Sequence, residues 1–428
     1  MTNIKNLLFV FLACIPVLFT ACDKDECIKT CAPNEVLTDN CECVPVGDNS
    51  TVIVSGNISS DVTWTADKVY VLAQRVTVLP GVKLTIMPGT VIKGQAGSGA
   101  NATALLIAKG AKIDAQGTVD KPIIFTSVAD EIKSGEIVSP NLDQGINGLW
   151  GGVLILGDAP ISANAPSVQI EGIPPSDING LYGGNNPQDN SGIMKYVSIR
   201  HGGTNIGEGN EINGLTLAGV GSGTIIENIE IVSNQDDGIE IFGGTVNPKN
   251  IMVWNTGDDM FDCDQGWSGT MDNIIGIAGD QTDSALELDG GEGVENPTYT
   301  ISNGTLKGHT AATSGKYADL RAKVSVSLKN LYFFNFSEGS EFRLNDQGVS
   351  DSWFSGKILF ANLEFNVSHM NTQPSLADIF RDKGSHDEDL NNAAPGFAKI
   401  STANTVGARV SEFEKWTLVA ALGQLAQL

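Results

Sequence analysis

Between Ile226 and Gly290 the chain alternates apolar and polar residues in short runs, and one pair of runs comes round three times. The first run of each pair opens on asparagine: Asn228-Ile229-Glu230-Ile231, Asn250-Ile251-Met252-Val253 and Asn273-Ile274-Ile275-Gly276. After a polar turn the second follows: Ile239-Glu240-Ile241-Phe242, Phe261-Asp262-Cys263-Asp264 and Leu286-Glu287-Leu288-Asp289. The first run recurs every 22 to 23 residues and the second every 22 to 25. That period is too short for a pair of helices and suits one turn of a β-solenoid. Asn303, Asn330 and Asn362 carry the register onward with longer loops. An asparagine at the same point of every turn can bond to the one above and below, as stacked strands permit.

The same reading extends upstream. Leu84 to Ile92 repeats after 21 residues as Leu105 to Ile113, with Gly89 and Gly110 at matching corners. Between Asp130 and Asp189 the spacing is irregular, which predicts insertions forming loops on one face. From Arg409 onward Val410, Phe413, Trp416, Leu418, Val419 and Leu422 recur at mostly helical spacing, which predicts a helical segment capping the open end of the solenoid. The expected architecture is one large all-β domain over residues 51–405, a single-chain parallel β-helix, with a short C-terminal helical cap over 406–428.

Composition agrees with many short strands and tight turns, since 49 glycines accompany few aromatics. The first 21 residues carry Lys5, an apolar run from Leu7 to Phe19 and Ala21 before Cys22. The run is too short to span a bilayer and reads as a secretory signal. Leu18-Phe19-Thr20-Ala21-Cys22 resembles a bacterial lipobox, apart from Phe19, which implies acylation of Cys22 and a lipid anchor in a membrane. The acidic run from Asp23 to Glu26 resembles the signal that exports Bacteroidota lipoproteins to the cell surface, implying an outer-membrane, surface-exposed location. Residues 22–50 then read as a Cys-rich tether. In an oxidising compartment Cys27, Cys31, Cys41 and Cys43 can form two disulfides of open pairing. A formal charge of −24 argues against nucleic acid as a partner.

Strand alternation points Glu240, Asp262 and Glu287 outward from adjacent coils. Carried forward, the column is expected to read Glu240, Asp262, Glu287, Arg321, Arg343, with Phe242, Asp264, Asp289, Lys323, Asn345 beside it. Carboxylates one strand spacing, about 4.8 Å, apart repel by roughly 1 kcal/mol in water and more at lower dielectric. A bound cation, a raised pKa or the arginines must compensate. The turns add Asp236, Asp237, Asp258, Asp259, Asp280 and Asp283. Oxygen ligands gathered in this way suit Ca²⁺, with Asp258, Asp259, Asp262 and Asp264 the candidate ligands. Local turn hydrogen bonds account for the turn acids equally well.

The words Pro88-Gly89-Thr90-Val91-Ile92, Leu149-Trp150-Gly151-Gly152 and Asn210-Glu211-Ile212-Asn213-Gly214-Leu215, with the stacked coils, resemble right-handed parallel β-helix lipoproteins of Bacteroidota in the pectin-lyase-like fold group. Asn234-Gln235-Asp236-Asp237 and Asn255-Thr256-Gly257-Asp258-Asp259 are similar to polygalacturonase turns, but no Gly-His-Gly or Arg-Ile-Lys word follows. Pectate-type lyases imply Ca²⁺ on acids and an arginine base, which the column with Arg321 and Arg343 allows. The leading expectation is a surface lipoprotein that binds an extracellular ligand, a polysaccharide, through Glu240, Asp264, Glu287, Asp289 and Trp267. Phe242, Trp254 and Trp150 are further candidate stacking surfaces. The alternatives are a lyase or glycoside hydrolase using Asp237, Asp259, Asp262, Arg321 and Arg343, and a structural adhesin or envelope spacer.

Overall fold

The computed structural model describes residues 35–37, 43–45, 51–99, 102–207, 210–312 and 315–428. The signal segment, Cys22, Cys27, Cys31 and Cys41, and the side chain of Cys43, lie outside the described residues. The chain divides into two compact units, Met1–Asp48 and Asn49–Leu428. In the first, Glu35–Leu37 pairs antiparallel with Cys43–Pro45.

The second unit is a parallel β-helix. One sheet runs through twelve successive strands from Thr51–Val54 to Ala398–Ile400, and a ten-stranded sheet runs from Val76–Val78 to Phe380–Asp382. Each coil from the middle of the chain onward gives one long strand to the first sheet and one short strand to the second. Thus Ile239–Phe242, Lys249–Thr256, Phe261–Asp264 and Thr270–Ile277 follow in order, and each pairs with the equivalent strands of the coils before and after it. Inward residues stack in register, Ile229 on Ile251 on Ile274, and all are fully buried. Gly304 continues that stack where the Ile274 and Leu331 side chains meet, and a Cβ there would lie 2.8 Å from Leu331.

The repeated asparagine does two things at once. Asn228, Asn250, Asn273, Asn303, Asn330 and Asn362 all have φ between 54° and 64°, so each turns the long strand through a left-handed corner. Asparagine tolerates that region better than most residues. Asn250 Nδ2 donates to Asn228 Oδ1 at 2.7 Å, and Asn273 repeats this on Asn250 at 2.7 Å. The ladder breaks once. Arg409 N–H takes Asn273 Oδ1 at 2.6 Å, and Asn303 turns to Asp272 at 2.6 Å before the ladder resumes with Asn330.

Two expectations are corrected. Residues 410–422 are helical in short turns, Val410–Phe413 and Leu418–Ala421, but they lie on the flank of the helix rather than over its end. Phe413, Trp416, Leu418 and Val419 cover the outward residues Val232, Met252, Trp254, Ile275 and Ile277 of the long sheet, and Val419 N–H donates to the buried Glu230 at 3.0 Å. The end is closed instead by Leu390, Ala394 and Phe397, whose ring meets Phe360 at 5.1 Å and Phe380 at 5.4 Å. The irregular stretch before Asp189 also covers two faces, not one. Its first part bonds to the long sheet, Arg200 donating to Ile137 O at 2.6 Å and Asn255 to Gln144 O at 2.6 Å. Its second part packs Ile170, Ile173 and Tyr182 on Leu154, Ala218 and Phe242 of the short sheet.

Candidate functional site

On the short sheet the inward positions, Ile239 and Ile241, Phe261 and Cys263, Leu286 and Leu288, belong to the core, so the residues between them face out. Pairing sets Glu240 beside Asp262, Asp262 beside Glu287, Glu287 beside Asp319, Asp319 beside Arg343 and Arg343 beside Arg381. The fourth member therefore differs from expectation. Asp319 stands where Arg321 was expected, because Phe342 pairs with Ala318 and not with Leu320. Arg321 takes the neighbouring column, beside Asp289, where Lys323 was expected. A slip of two residues leaves every side chain on its own face, so alternation alone does not reveal it.

The column faces outward and is nevertheless enclosed. Glu240, Asp262 and Glu287 are 7–8% exposed and Asp319 2%. The cover comes from the second insertion and a later loop. Tyr182 sits 6.1 Å from Phe242 and its hydroxyl donates to Gln265 Oε1 at 2.7 Å. Ser162 N–H donates to Gln265 O at 2.8 Å, and Gln265 Nε2 to Glu292 at 3.4 Å. Asn213, fully buried, donates through Nδ2 to Glu240 and to Glu171, the latter at 3.3 Å.

Trp267 is not a binding platform. It is wholly buried in the core, 5.1 Å from Tyr299, with its indole N–H on Val246 O at 2.9 Å. Phe242 lies under the insertion, Trp254 under the C-terminal segment, and Trp150 donates to Arg200 O at 2.8 Å from a fully buried position. The turn acids hold backbone. Asp237 Oδ1 accepts from Asp259 N–H at 2.9 Å, and Asp259 Oδ1 from Ser284 N–H at 2.6 Å, one coil on each time.

Burial, then the neighbouring carboxylates, raises Asp237, Glu240, Asp259 and Asp262 well above the usual carboxylate range. Burial with the charge of Asp289 pushes Asp264 up to about 7. Burial pushes Glu287 up to about 7 although Arg321 pulls against it. Burial opposes the charge on Arg321, but its bonds to Asp289 at 2.7 and 2.9 Å and its contact with Glu287 outweigh that and hold the guanidinium above its ordinary value. The bond to Asp319 does the same for Arg343.

Carboxylate oxygens come within 4.8 Å of one another in four sets among the described residues: Asp236, Asp237 and Asp258; Asp237, Glu240 and Asp262; Asp258, Asp259 and Asp283; Asp262, Glu287 and Asp289. The expected metal ligands Asp258, Asp259, Asp262 and Asp264 are thus divided: Asp258 and Asp259 share a set, Asp262 belongs to two others, and Asp264 joins none. Asp262 Oδ1 and Asn213 Oδ1 are buried with no hydrogen-bond partner. A buried acceptor without a donor is costly, and an oxygen-seeking cation would satisfy Asp262 Oδ1 among its neighbouring carboxylates, so these acids fit Ca²⁺.

The whole of this architecture matches one family description, the pectate-lyase-like β-helix domain, over residues 56–418. The chain belongs to that family. Comparison with curated proteins and with solved structures finds no match. In this pectate-lyase-like β-helix, sequence reasoning missed Asn213, Glu171, Asp319 and Lys316. Asp319 was open to discovery as the outward position between the inward Ala318 and Leu320. Asn213 and Glu171 lie outside the repeat and carried no periodic signal.

Proposed function

We propose that this β-helix is a lipid-anchored, surface-exposed lipoprotein of the Bacteroidota type. It binds an extracellular polysaccharide on the outer face of the short sheet, with Ca²⁺ held by the enclosed acids beside that face. The observation that carries the cation is the orphaned Asp262 Oδ1 in the set of Asp237, Glu240 and Asp262, whose members form no ion pair with a lysine or arginine among the described residues. The lipobox-like word before Cys22 supports the anchor.

The ligand surface moves downstream of its expected place. Glu240, Asp262 and Trp267 are closed to solvent, whereas the side chains of Arg321, Arg343 and Arg381 are 40%, 26% and 44% exposed. Beside them a cavity of about 250 Å³ is lined by Lys316, Ser337, Glu338, Ser340, Glu341 and Arg343. Donors and acceptors alternate there, which suits the hydroxyls of a sugar chain more than a polyanion, given the charge of −24. The lyase alternative needs an arginine that gives up its proton, and Arg321 and Arg343 are held in the opposite direction. The hydrolase alternative needs accessible paired carboxylates, and Asp237 and Asp259 are buried and hold backbone.

The test is a glycan screen of the full chain with Ca²⁺ and with chelator, reading binding and released chain ends together. Binding without product, weakened at least tenfold in Arg343→Ala while the melting temperature holds, is expected. Product formation would turn the reading to an enzyme, and absence of binding to any glycan would leave the adhesin or spacer role.

A further inference from the structure

The C-terminal segment crosses the long sheet along the axis of the solenoid and is pinned there by its own backbone. Glu230, Met252, Ile275, Thr305, Tyr332 and Glu364 form one outward column of that sheet, one residue from each successive coil. Thr405 N–H donates to Glu364 at 2.7 Å, Ala408 N–H to Thr305 Oγ1 at 2.9 Å and Val419 N–H to Glu230 at 3.0 Å. The segment therefore runs back from the last of these coils to the first. Gly407 is required on that path, because its φ is 133° and a Cβ would stand 2.6 Å from Thr305 Oγ1.

A fourth backbone contact falls on the break in the asparagine ladder. Arg409 N–H takes Asn273 Oδ1 at 2.6 Å. The ladder would give that oxygen to Asn303, since the two asparagines occupy the same left-handed corner and the residues on either side of them pair in register. Asp272 keeps Asn303 away. Its Oδ1 accepts from Asn303 Nδ2 at 2.6 Å and from Ser302 Oγ at 3.0 Å, while its Oδ2 accepts from the Arg409 guanidinium at 2.8 Å. Two donors thus compete for one buried oxygen, and a single acid favours the arrangement seen here.

We propose that the C-terminal segment is a releasable strap and the ladder gap its switch: docked, Arg409 N–H occupies Asn273 Oδ1; released, Asn303 Nδ2 takes that oxygen and the ladder closes. A buried acceptor left without a donor is costly, so a strap leaving an ordinary sheet would orphan Asn273 Oδ1. Here the closing ladder supplies the donor, and Asn273 Nδ2 keeps its bond to Asn250 in both states. Glu230, the last anchor, likewise keeps Ser198 Oγ at 2.6 Å and Arg200 at 3.7 Å. What then holds the strap is chiefly its apolar side on Val232, Met252, Trp254, Ile275 and Ile277, the strip that release uncovers.

The experiment is hydrogen exchange of the full chain read by mass spectrometry, comparing amides of residues 405–419 with those of the strand Lys249–Thr256 beneath them. In the natural chain 405–419 is expected to exchange as one group, at least tenfold faster than the strand. Asp272→Ala, which sets Asn303 free, is expected to speed 405–419 at least a further tenfold. Adding Asn303→Gly, which tolerates the left-handed corner and removes the competing donor, should return the rate to within threefold of the natural chain. Arg409→Ala keeps the N–H and loses only an ion pair whose arginine side chain is 45% exposed, so it should also stay within threefold. Circular dichroism confirms the fold of each variant. Exchange of 405–419 in step with the strand in the natural chain would overturn the strap. A double variant as fast as Asp272→Ala, or Arg409→Ala as fast as Asp272→Ala, would overturn the switch and leave Asp272 a simple ion-pair partner.

Discussion

Asp264 offers a clean test of the electrostatics, because it sits on the acidic face without belonging to any of the four carboxylate sets. Burial and Asp289 raise its carboxyl from 3.8 to about 7 in the folded chain. The sign follows from proton linkage. Between those two values the folded state holds a proton that the unfolded state releases, so the folded state loses ground as the pH climbs, and above about 7 it carries a buried charge. At 1.36 kcal/mol per pKa unit the whole effect is about 4 kcal/mol, and partial exposure reduces it to about 2–4 kcal/mol. Asp264→Asn keeps an oxygen to accept from Gln265 N–H and carries no charge at any pH. The variant is therefore expected to be more stable than the natural chain at pH 8 by about 2–4 kcal/mol in chelator, by only about 1 kcal/mol near pH 5, where the unfolded carboxyl is already ionised, and equal to it below 3.8. For a unit of this length each kcal/mol moves the melting temperature by on the order of 1 °C, so scanning calorimetry at the two pH values resolves the difference. Equal stability at pH 8, or the same gain at pH 5, would refute the assignment of a charge penalty to this carboxyl.

Two further outcomes test the frame. Asn250→Ala loses both ladder bonds and puts alanine at φ 55°, so a loss of about 2–4 kcal/mol in urea unfolding is expected, and Asn250→Gly, which relieves only the backbone, should recover about 1–2 kcal/mol of it. Trp267→Ala should cost about 3–5 kcal/mol as a core deletion, with any glycan affinity of the still-folded chain unchanged; a weakened affinity at unchanged stability would return Trp267 to the ligand surface.

The period of the coil was legible because each turn repeats one environment. Ile229, Ile251 and Ile274 occupy the same place in the stack, and Asn228, Asn250 and Asn273 the same left-handed corner, so the same residue types recur. The part of the site carried by the strands was legible for the same reason, and Glu240, Asp262 and Glu287 do adjoin one another. The slip at Asp319 came after the longer loop that follows Asp289, where counting residues no longer measures the coil and alternation cannot separate two positions on one face.

What covers the column was illegible for a different physical reason. A solenoid side chain that points outward is exposed only if nothing non-repeating lies over it, and the pattern of the repeat contains no information about its insertions. The long sheet shows what such information looks like when it exists. Its outward positions Val232, Met252, Trp254, Ile275 and Ile277 are apolar, as expected of strands buried on both faces, and they meet the apolar side of the C-terminal segment. The same test applied to the short sheet marks Ala218 and Phe242 as covered, which they are, and leaves Glu240 and Asp262 looking free. Carboxylates enclosed next to an apolar cover are costly unless neutralised. Downstream the chain supplies that neutralisation itself, through Arg321 and Lys316. Upstream, at Asp237, Glu240 and Asp262, no lysine or arginine forms an ion pair among the described residues, and burial pushes the carboxyls toward their neutral form instead, a cost that a bound cation would remove.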